Sequence, residues 1–255
     1  TLDNMALLKL NKFHWHLCDD QGYRIESEEF PLLNEISSKR GYELLGGCNN
    51  LAFPELKKGG DEYFHYYKKD EIREIVKYAS SLCIDIIPEI DLPGHTVAIL
   101  AAYPELSCLK GEYEVFCENG ITKDVLCAGQ EETYDFVEKL LTEVCELFPY
   151  NYFHMGGDEA SKGHKIWEKE CPVCQQKMKE LGVETGKDLQ AYFNNRVNET
   201  LKKLGKTSIE WNDGIYENTA NDIIGHYWIY RNPAWVKKEN EKRMQQTFMG
   251  ALAAE

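Results

Sequence analysis

The fold of this chain is decided by LCIDIIP at Leu82–Pro88, a short and nearly continuous apolar run. Four other stretches have the same character, and they are Asn11–Leu17, Tyr152–Met155, Thr207–Trp211 and Ile223–Trp228. Such runs are typical of parallel strands that are buried on both faces of a sheet. Between them, apolar residues keep helical spacing over 72–79, 137–148 and 189–204. The alternation of strand and helix predicts an α/β fold with a parallel sheet.

Two long polar loops follow strands rather than precede them. Gly41–Asp61 is rich in Gly and Asn, and Tyr103–Gln130 is a second long insertion. Loops at the carboxyl ends of parallel strands are where α/β enzymes hold their catalytic groups. One further helical pattern, Trp235–Gln246, follows the last strand. The five predicted strands with their helices are too few to close an eight-stranded barrel. We therefore expect either an open sheet or strand–helix units missing at both ends.

The composition argues against two classes of partner. The 255 residues carry a net charge of -14, and so acidic a protein repels the phosphate backbone of nucleic acid. No stretch reaches the roughly 18 apolar residues of a membrane span. We therefore expect no nucleic acid and no membrane as partners. No signal peptide is visible, which favours the cytoplasm, but the chain begins at Thr1 and we expect its true start to be missing.

The chain has nine Cys, an odd number. Cys83 and Cys145 lie in apolar runs and are predicted to be small core residues. Cys171 and Cys174 form a single Cys-x-x-Cys, which is compatible with a metal site, a local disulfide or two free thiols. A zinc site needs a second pair nearby, and the sequence shows none, so we favour free thiols and expect no metal and no cofactor. Free thiols fit a reducing compartment.

Polar and aromatic side chains collect where each predicted strand ends. Asp19 follows the first strand and His95 the second, while the third ends in HMGGDE at His154–Glu159. Trp211 and Trp228 close the last two strands. Carboxyl ends of parallel strands meet at one edge, so these residues are expected to form a single rim. Carboxylates beside aromatic rings indicate glycoside hydrolysis, because an acid must protonate the leaving oxygen and sugar rings pack on aromatic faces.

Asp158 and Glu159 are adjacent, and this limits their roles. Neighbours in an extended chain point opposite ways, so they are not expected to act as the usual acid and nucleophile, whose carboxyls lie about 5 Å apart. One acid is expected to reach the glycosidic oxygen while the other has a different task. Gly156 and Gly157 allow a sharp turn here. The competing interpretation is a glycine-rich turn with two solvated acids.

The other rim residues each have a structural and a functional interpretation. His95 is either a hydrogen-bonded structural histidine or a functional one, and Asp19 could orient it and raise its pKa. Trp211 and Trp228 are either core residues or walls of a pocket. Their position at the ends of consecutive strands favours the pocket wall.

These strand ends, in this order, resemble those of glycoside hydrolase family 20, the β-N-acetylhexosaminidases. The three segments that carry the resemblance are FHWHLCDDQGYRI at Phe13–Ile25, PEIDLPGH at Pro88–His95 and HMGGDE at His154–Glu159. The first departs from the family pattern only in having Tyr23 where Trp is common. The resemblance implies a (β/α)8 TIM barrel, of which residues 1–255 form a partial catalytic domain, truncated at both ends and covering strands two to six.

The resemblance implies a substrate-assisted, retaining mechanism without a cofactor, acting on terminal β-linked N-acetylglucosamine or N-acetylgalactosamine. The substrate's 2-acetamido oxygen attacks the anomeric carbon and gives an oxazoline, an exception to the two-carboxylate rule. Matched by position, Glu159 corresponds to the general acid/base and Asp158 to the residue that holds the acetamido group.

Other site residues also follow from the resemblance. Asp19 and His95 match the pair that supports the acid and contacts substrate, and Trp211 and Trp228 resemble two walls of the acetamido pocket. The family's sugar-binding Arg on the first barrel strand, the Tyr/Asp pair on the seventh strand and the Trp and Glu on the eighth have no counterpart here. The stretch Ile229–Glu255 matches no motif of the family.

Three alternatives stay open at this point. A lacto-N-biosidase-like enzyme of the same family releases a disaccharide. A non-catalytic, carbohydrate-binding remnant is favoured by the missing strands and disfavoured by the intact Asp158–Glu159 pair. A metal-dependent hydrolase could use His14, His16 and His95, because His14 and His16 share one strand face.

Overall fold

The computed structural model describes residues 1–41, 43–45, 57–59, 63–117, 120–228 and 248–249, with the backbone alone at 43–45, 57–59, 63 and 248–249. Its centre is a sheet of six parallel strands in chain order. They are β1 (Lys12–His16), β2 (Asp85–Glu89), β3 (Tyr152–His154), β4 (Thr207–Trp211), β5 (Ile224–Tyr227) and β6 (Phe248–Met249). The α/β prediction with a parallel sheet is therefore confirmed.

Six α-helices in the described part of the chain connect or flank these strands. They are α1 (Leu2–Leu7), α2 (Lys69–Ser81), α3 (Val97–Ala102), α4 (Glu131–Cys145), α5 (Pro172–Leu181) and α6 (Gly186–Lys203). Short 3-10 turns span Pro104–Leu106 and Ala160–Lys162, and π-helical turns span Leu33–Ser37 and Ile166–Glu170. Three small antiparallel pairs join Cys18–Asp19 to Gly22–Tyr23, Lys39–Arg40 to Tyr63–Phe64, and Glu43–Leu45 to Lys57–Gly59.

The helices bury the faces that their spacing predicts. In α4 the buried side chains include Val137, Leu140, Leu141 and Val144, and they belong to one large core. The same core takes Leu189, Phe193, Val197 and Leu201 from α6. Burial of such apolar surface is the main force that holds helices against a sheet, at about 25 cal/mol per Å². None of the described helices is long and apolar enough to cross a membrane.

The second strand begins later than the sequence predicts. α2 runs to Ser81, and Cys83 lies in the turn before β2 with a positive φ of 59°. Cys83 is exposed, so the prediction that it packs in the core is wrong, whereas Cys145 is buried as predicted. The sequence does not mark where the strand begins, because Leu82, Cys83 and Ile84 before β2 are as apolar as the strand itself.

The structure also contains a strand that the sequence does not predict. This sixth strand, β6, pairs in parallel with β5. The predicted helix Trp235–Gln246 and most of the loop Gly41–Asp61 lie outside the described residues.

The insertion Tyr103–Gln130 is bound to the rest of the fold by backbone hydrogen bonds. Leu126 donates its amide to the carbonyl of Pro93 (3.0 Å), and Phe116 donates to the carbonyl of Asp20 (3.1 Å). Ser107 and Leu126 form an antiparallel bridge inside the insertion. The loop is thereby tied to the segments that follow β1 and β2.

Candidate active site

The strand register gathers polar residues at one edge of the sheet. His16 of β1 lies opposite Glu89 of β2, and Glu89 lies opposite His154 of β3. Trp211 of β4 lies opposite His226 of β5. The single rim expected from the sequence is thus present in the structure.

Glu89 is the buried centre of this rim. Its carboxylate lies 2.7 Å from Nε2 of His14 and 2.7 Å from Nδ1 of His16. It also lies 3.2 Å from Nδ1 of His154 and accepts a 2.8 Å hydrogen bond from Nε1 of Trp211. Burial alone would raise the pKa of Glu89, but the charge of His154 and bonds to the three histidines hold it well below its usual range. This carboxylate therefore fixes the orientation of the Trp211 indole.

The turn after β3 requires its two glycines. Gly156 has φ +71° and Gly157 has φ +98°. A Cβ at Gly156 would collide with the carboxyl of Asp91, and one at Gly157 would lie 2.7 Å from the side chain of Glu210. The predicted sharp turn is confirmed, and its tightness brings the following acids against β2 and β4.

Asp158 and Glu159 do not point to opposite sides of the chain. Glu159 has φ +53° and ψ -1°, a left-handed conformation that is uncommon for a non-glycine residue. Both carboxylates approach Nε2 of His95, Glu159 at 3.4 Å and Asp158 at 3.6 Å. The alternation argument assumed an extended backbone, and that assumption fails at Glu159. Strained backbone of this kind is concentrated at functional sites.

One carboxylate oxygen of Asp158 has an unusual environment. This oxygen, Oδ1, is buried and accepts no hydrogen bond from an N–H or alcohol group of the described residues, while the Asp158 side chain hydrogen-bonds with the carboxyl of Asp91. Burial raises the pKa of Asp158 to about 6, against the opposing charge of His95. Burial and the nearby Asp158 also raise the pKa of Asp91 well above its usual range. Asp91 accepts a 3.1 Å hydrogen bond from the amide of Gly157, so it stabilises the turn after β3.

His95 connects these acids to the first strand. Its Nδ1 lies 3.0 Å from Oδ1 of Asp19, and the other oxygen of Asp19 lies 3.1 Å from Nε2 of His16. Burial alone would lower the pKa of His95, but hydrogen bonds to Asp19 and Asp20 raise it to about 12. The same bonds to His16 and His95 overcome the effect of burial on Asp19 and lower its pKa. His95 is therefore a cation at neutral pH, as the pairing with Asp19 predicted.

Trp211 and Trp228 lie outside the buried core. Their rings approach at 66° with centroids 6.2 Å apart, and Trp228 is 47% exposed. Asp213 links Trp228 to the acid pair, because one of its oxygens accepts from Nε1 of Trp228 (2.8 Å) and the other accepts from the amide of Glu159 (3.0 Å). The placement agrees with a pocket wall rather than with core packing.

The structure thus brings four of the six predicted site residues into direct contact. Asp19, His95, Asp158 and Glu159 form one connected group, and the two Trp residues join it through Asp213 and Glu89. Sequence reasoning assigned no role to Glu89, Asp91 or Asp213. Glu89 and Asp91 lie in the PEIDLPGH segment and Asp213 follows Trp211 by two positions, so their places at strand ends gave a signal, but their partners are distant in sequence.

Several groups of side chains have ligand atoms close enough to share a metal ion. At the rim they are His14–Glu89–His154, Asp19–Asp20–His95 and Asp91–His95–Asp158. The set His14, His16 and His95 is not among those found in the described part of the chain. His14 and His16 contact Glu89 instead, so the three histidines named in the metal-hydrolase alternative do not converge on one ion. The fourth group consists of Cys108, Cys127, Cys171 and Cys174.

Comparison with known proteins gives a consistent family match. The model of the glycosyl hydrolase family 20 catalytic domain matches residues 1–249. A β-hexosaminidase from Porphyromonas gingivalis is 39% identical over 227 residues, which are 89% of this chain and 27% of that protein.

Solved structures of the same family are also similar to this chain. A chitobiase from Flavobacterium johnsoniae is 38% identical with a TM-score of 0.75, covering 91% of this chain and 31% of its own. An exo β-N-acetylglucosaminidase from Vibrio harveyi, in complex with N-acetylglucosamine, is 30% identical with a TM-score of 0.76, covering 96% and 37%. The chain therefore spans about a third of the length of the relatives it matches.

Proposed function

The chain belongs to glycosyl hydrolase family 20, and we propose that it carries most of the active site of an enzyme that removes terminal β-linked N-acetylhexosamine from glycans or glycoconjugates. One observation supports this most directly. Beside the partly exposed Glu159, Asp158 keeps a buried oxygen that accepts no hydrogen bond from an N–H or alcohol group of the described residues, and its side chain hydrogen-bonds with the carboxyl of Asp91 after β2. A buried acceptor without a donor is costly, and an amide N–H of a bound substrate would satisfy it.

In this proposal Glu159 is the general acid/base. The acetamido oxygen of the substrate attacks the anomeric carbon while Glu159 gives a proton to the glycosidic oxygen, so that the C1–O bond breaks and an oxazoline forms. Glu159 then takes a proton from a water molecule that attacks the anomeric carbon and reopens the ring. Two inversions give net retention, with no enzyme nucleophile.

Asp158 orients the acetamido group. Its Oδ1 would accept the acetamido N–H, and its negative charge would stabilise the positive charge that develops as the ring closes. With a pKa of about 6, the carboxylate is largely ionised at neutral pH. Holding the acetamido oxygen in attack position lowers the barrier by removing its freedom to rotate.

His95 and Asp19 position the acid pair. The imidazolium of His95 lies within 4 Å of both carboxylates, and Asp19 holds its other nitrogen. The charge of His95 favours the ionised form of Asp158, and its contacts with both carboxylates keep the two acids near the bond to be cleaved. Trp211 and Trp228 would shield the acetamido group from water, and a dry site strengthens its interaction with Asp158.

The role of Glu159 is tested by Glu159→Gln in the full-length protein. The amide keeps the shape of the side chain but cannot donate the required proton, so turnover of an aryl N-acetyl-β-glucosaminide should fall by at least about 10²-fold. Glu180→Gln is the matched control, since Glu180 is 53% exposed on α5 and contacts only Lys177 among charged groups in the described part of the chain. Unchanged turnover in Glu159→Gln would contradict the assignment.

The same assay separates the remaining alternatives. Cleavage of an aryl lacto-N-bioside but not of the aryl N-acetylglucosaminide would indicate release of a disaccharide. Absence of turnover on both, with retained sugar binding, would indicate a carbohydrate-binding remnant.

A further inference from the structure

Four cysteine sulfurs converge on one point, formed by the 103–130 insertion and the start of α5. Cys108 and Cys127 come from the insertion, and Cys171 and Cys174 come from α5 and the residue before it. All four sulfur atoms lie within 4.8 Å of one another. The sequence shows only the Cys-x-x-Cys pair, because the second pair is distant along the chain and its members are not close to each other in sequence.

The sulfur–sulfur distances match a tetrahedral metal site. They are 3.7 Å for Cys108–Cys174, 3.7 Å for Cys127–Cys171 and 3.6 Å for Cys127–Cys174. Four thiolates at about 2.3 Å from a zinc ion lie about 3.8 Å apart along the edges of the tetrahedron. A disulfide needs about 2.05 Å, and all four cysteines are free.

The backbone around the Cys-x-x-Cys pair is arranged for thiolate ligands. Cys171 is the N-cap of α5, Pro172 is the first helical residue, and the amide of Cys174 donates to Sγ of Cys171 at 3.5 Å. An amide donor and the positive end of a ten-residue helix both stabilise negative charge on sulfur. A Cβ at Gly129 would lie 2.7 Å from the amide nitrogen of Cys174, so the insertion passes directly against this helix end.

The cluster is also protected from solvent. Cys127, Cys171 and Cys174 are at most 1% exposed, and Cys108 is partly buried. Indole Nε1 of Trp167 donates to the carbonyl of Leu126, next to Cys127, at 3.1 Å. Closed coordination by four protein ligands is the mark of a structural zinc site rather than a catalytic one.

We propose that Cys108, Cys127, Cys171 and Cys174 bind one zinc ion as a structural tetrathiolate site. The ion would clamp the 103–130 insertion to α5. That insertion reaches the rim, because Thr122 donates from Oγ1 to Asp20 at 3.1 Å and Asp20 lies 3.6 Å from Nδ1 of His95. The proposal does not depend on the function assigned to the rim.

Metal content tests the site directly. The full-length protein, purified under reducing conditions without chelator, should contain about one zinc per chain by elemental analysis. Cys127→Ser and Cys174→Ser should each reduce the zinc content to near zero, whereas Cys145→Ala, which changes a buried cysteine outside the cluster, should keep it. Zinc retained in Cys127→Ser, or iron in place of zinc, would overturn the assignment.

A second measurement does not require the variants to fold. Zinc removed from the wild-type protein is replaced with Co²⁺, and four thiolate ligands should give the intense sulfur-to-cobalt charge-transfer bands and red d–d bands of a tetrahedral site. Thiol titration of the denatured, metal-free protein should find every cysteine reactive, the nine of this sequence included. Loss of four reactive thiols together with absence of metal would show two disulfides and overturn the proposal.

Discussion

At the scale of single residues, Asp158 is the most informative group. Its pKa rises from 3.8 to about 6 because burial penalises the charged form. This difference corresponds to about 3 kcal/mol between the two protonation states. The ionised carboxylate of Asp158 therefore lowers the free energy of unfolding at neutral pH. A loss of stability of this kind is common at functional sites.

We expect Asp158→Asn to stabilise the protein at pH 7. A raised folded-state pKa means that the protonated form favours folding, so the wild type loses this contribution as pH rises from about 4 through about 6. Asn resembles the protonated acid at every pH. Denaturant unfolding should therefore show a gain of up to about 3 kcal/mol at pH 7 that disappears near pH 4. A loss of stability at pH 7 would contradict the account.

The same substitution should weaken catalysis. Asn keeps an oxygen that can accept the acetamido N–H, but it lacks the charge that stabilises the developing positive ring. We expect kcat/KM on an aryl N-acetylglucosaminide to fall on the order of 10²-fold, the usual size of an electrostatic contribution of this kind. A kcat/KM within a factor of two of wild type would remove Asp158 from the mechanism.

Acid pH should affect the wild type through the same carboxylate. Protonation of Asp158 below about pH 6 removes its charge, so kcat/KM should decline there with an apparent pKa near 6. The profile reports the Asp91–Asp158 pair rather than one residue. A kcat/KM that stays flat down to pH 5 would contradict an essential ionised Asp158.

At the scale of elements, the turn after β3 decides where the acids stand. Gln190 of α6 donates to the carbonyl of Gly157 at 2.7 Å, and Asp213 after β4 accepts the amide of Glu159 at 3.0 Å. Together with Asp91 after β2, these bonds fix the turn from three sides. The left-handed Glu159 is held by neighbours that are far away in sequence.

The turn's tightness can be tested with two glycines of similar backbone conformation. Gly156 has φ +71° and Gly182 has φ +67°, but a Cβ at Gly156 collides with Asp91 whereas one at Gly182 meets nothing within 4 Å. Gly182→Ala should cost about 1 kcal/mol of unfolding free energy from the positive φ alone. Gly156→Ala should cost at least about 1 kcal/mol more, as overpacking does, and should also lower kcat. Equal losses in the two variants would show that the turn is not tightly packed.

Sequence reasoning succeeded for elements whose signal is local. The five apolar runs and the helical spacing of α4 and α6 predicted the sheet and its helices. The start of β2 and the exposure of Cys83 were missed because the turn is as apolar as the strand. β6 was missed because it has two residues, too few for any periodic signal.

At the scale of the whole molecule, the parallel sheet assembles a site from residues that are far apart in sequence. Motif order and strand ends predicted which residues reach the rim. They did not predict the contacts of Glu89 with three histidines, the link from Asp213 to Trp228, or the meeting of the four cysteines. Those contacts depend on the register between strands and on the path of the 103–130 insertion, which no local pattern encodes.

In the proposed mechanism, the substrate's own acetamido group is the nucleophile. The most direct measurement compares an aryl N-acetyl-β-glucosaminide with the aryl β-glucoside that lacks this group, using the full-length protein and following the first-formed product by NMR. We expect rapid cleavage of the first substrate with β product formed first, and little or no cleavage of the second. Comparable cleavage of both, or an α product formed first, would contradict it.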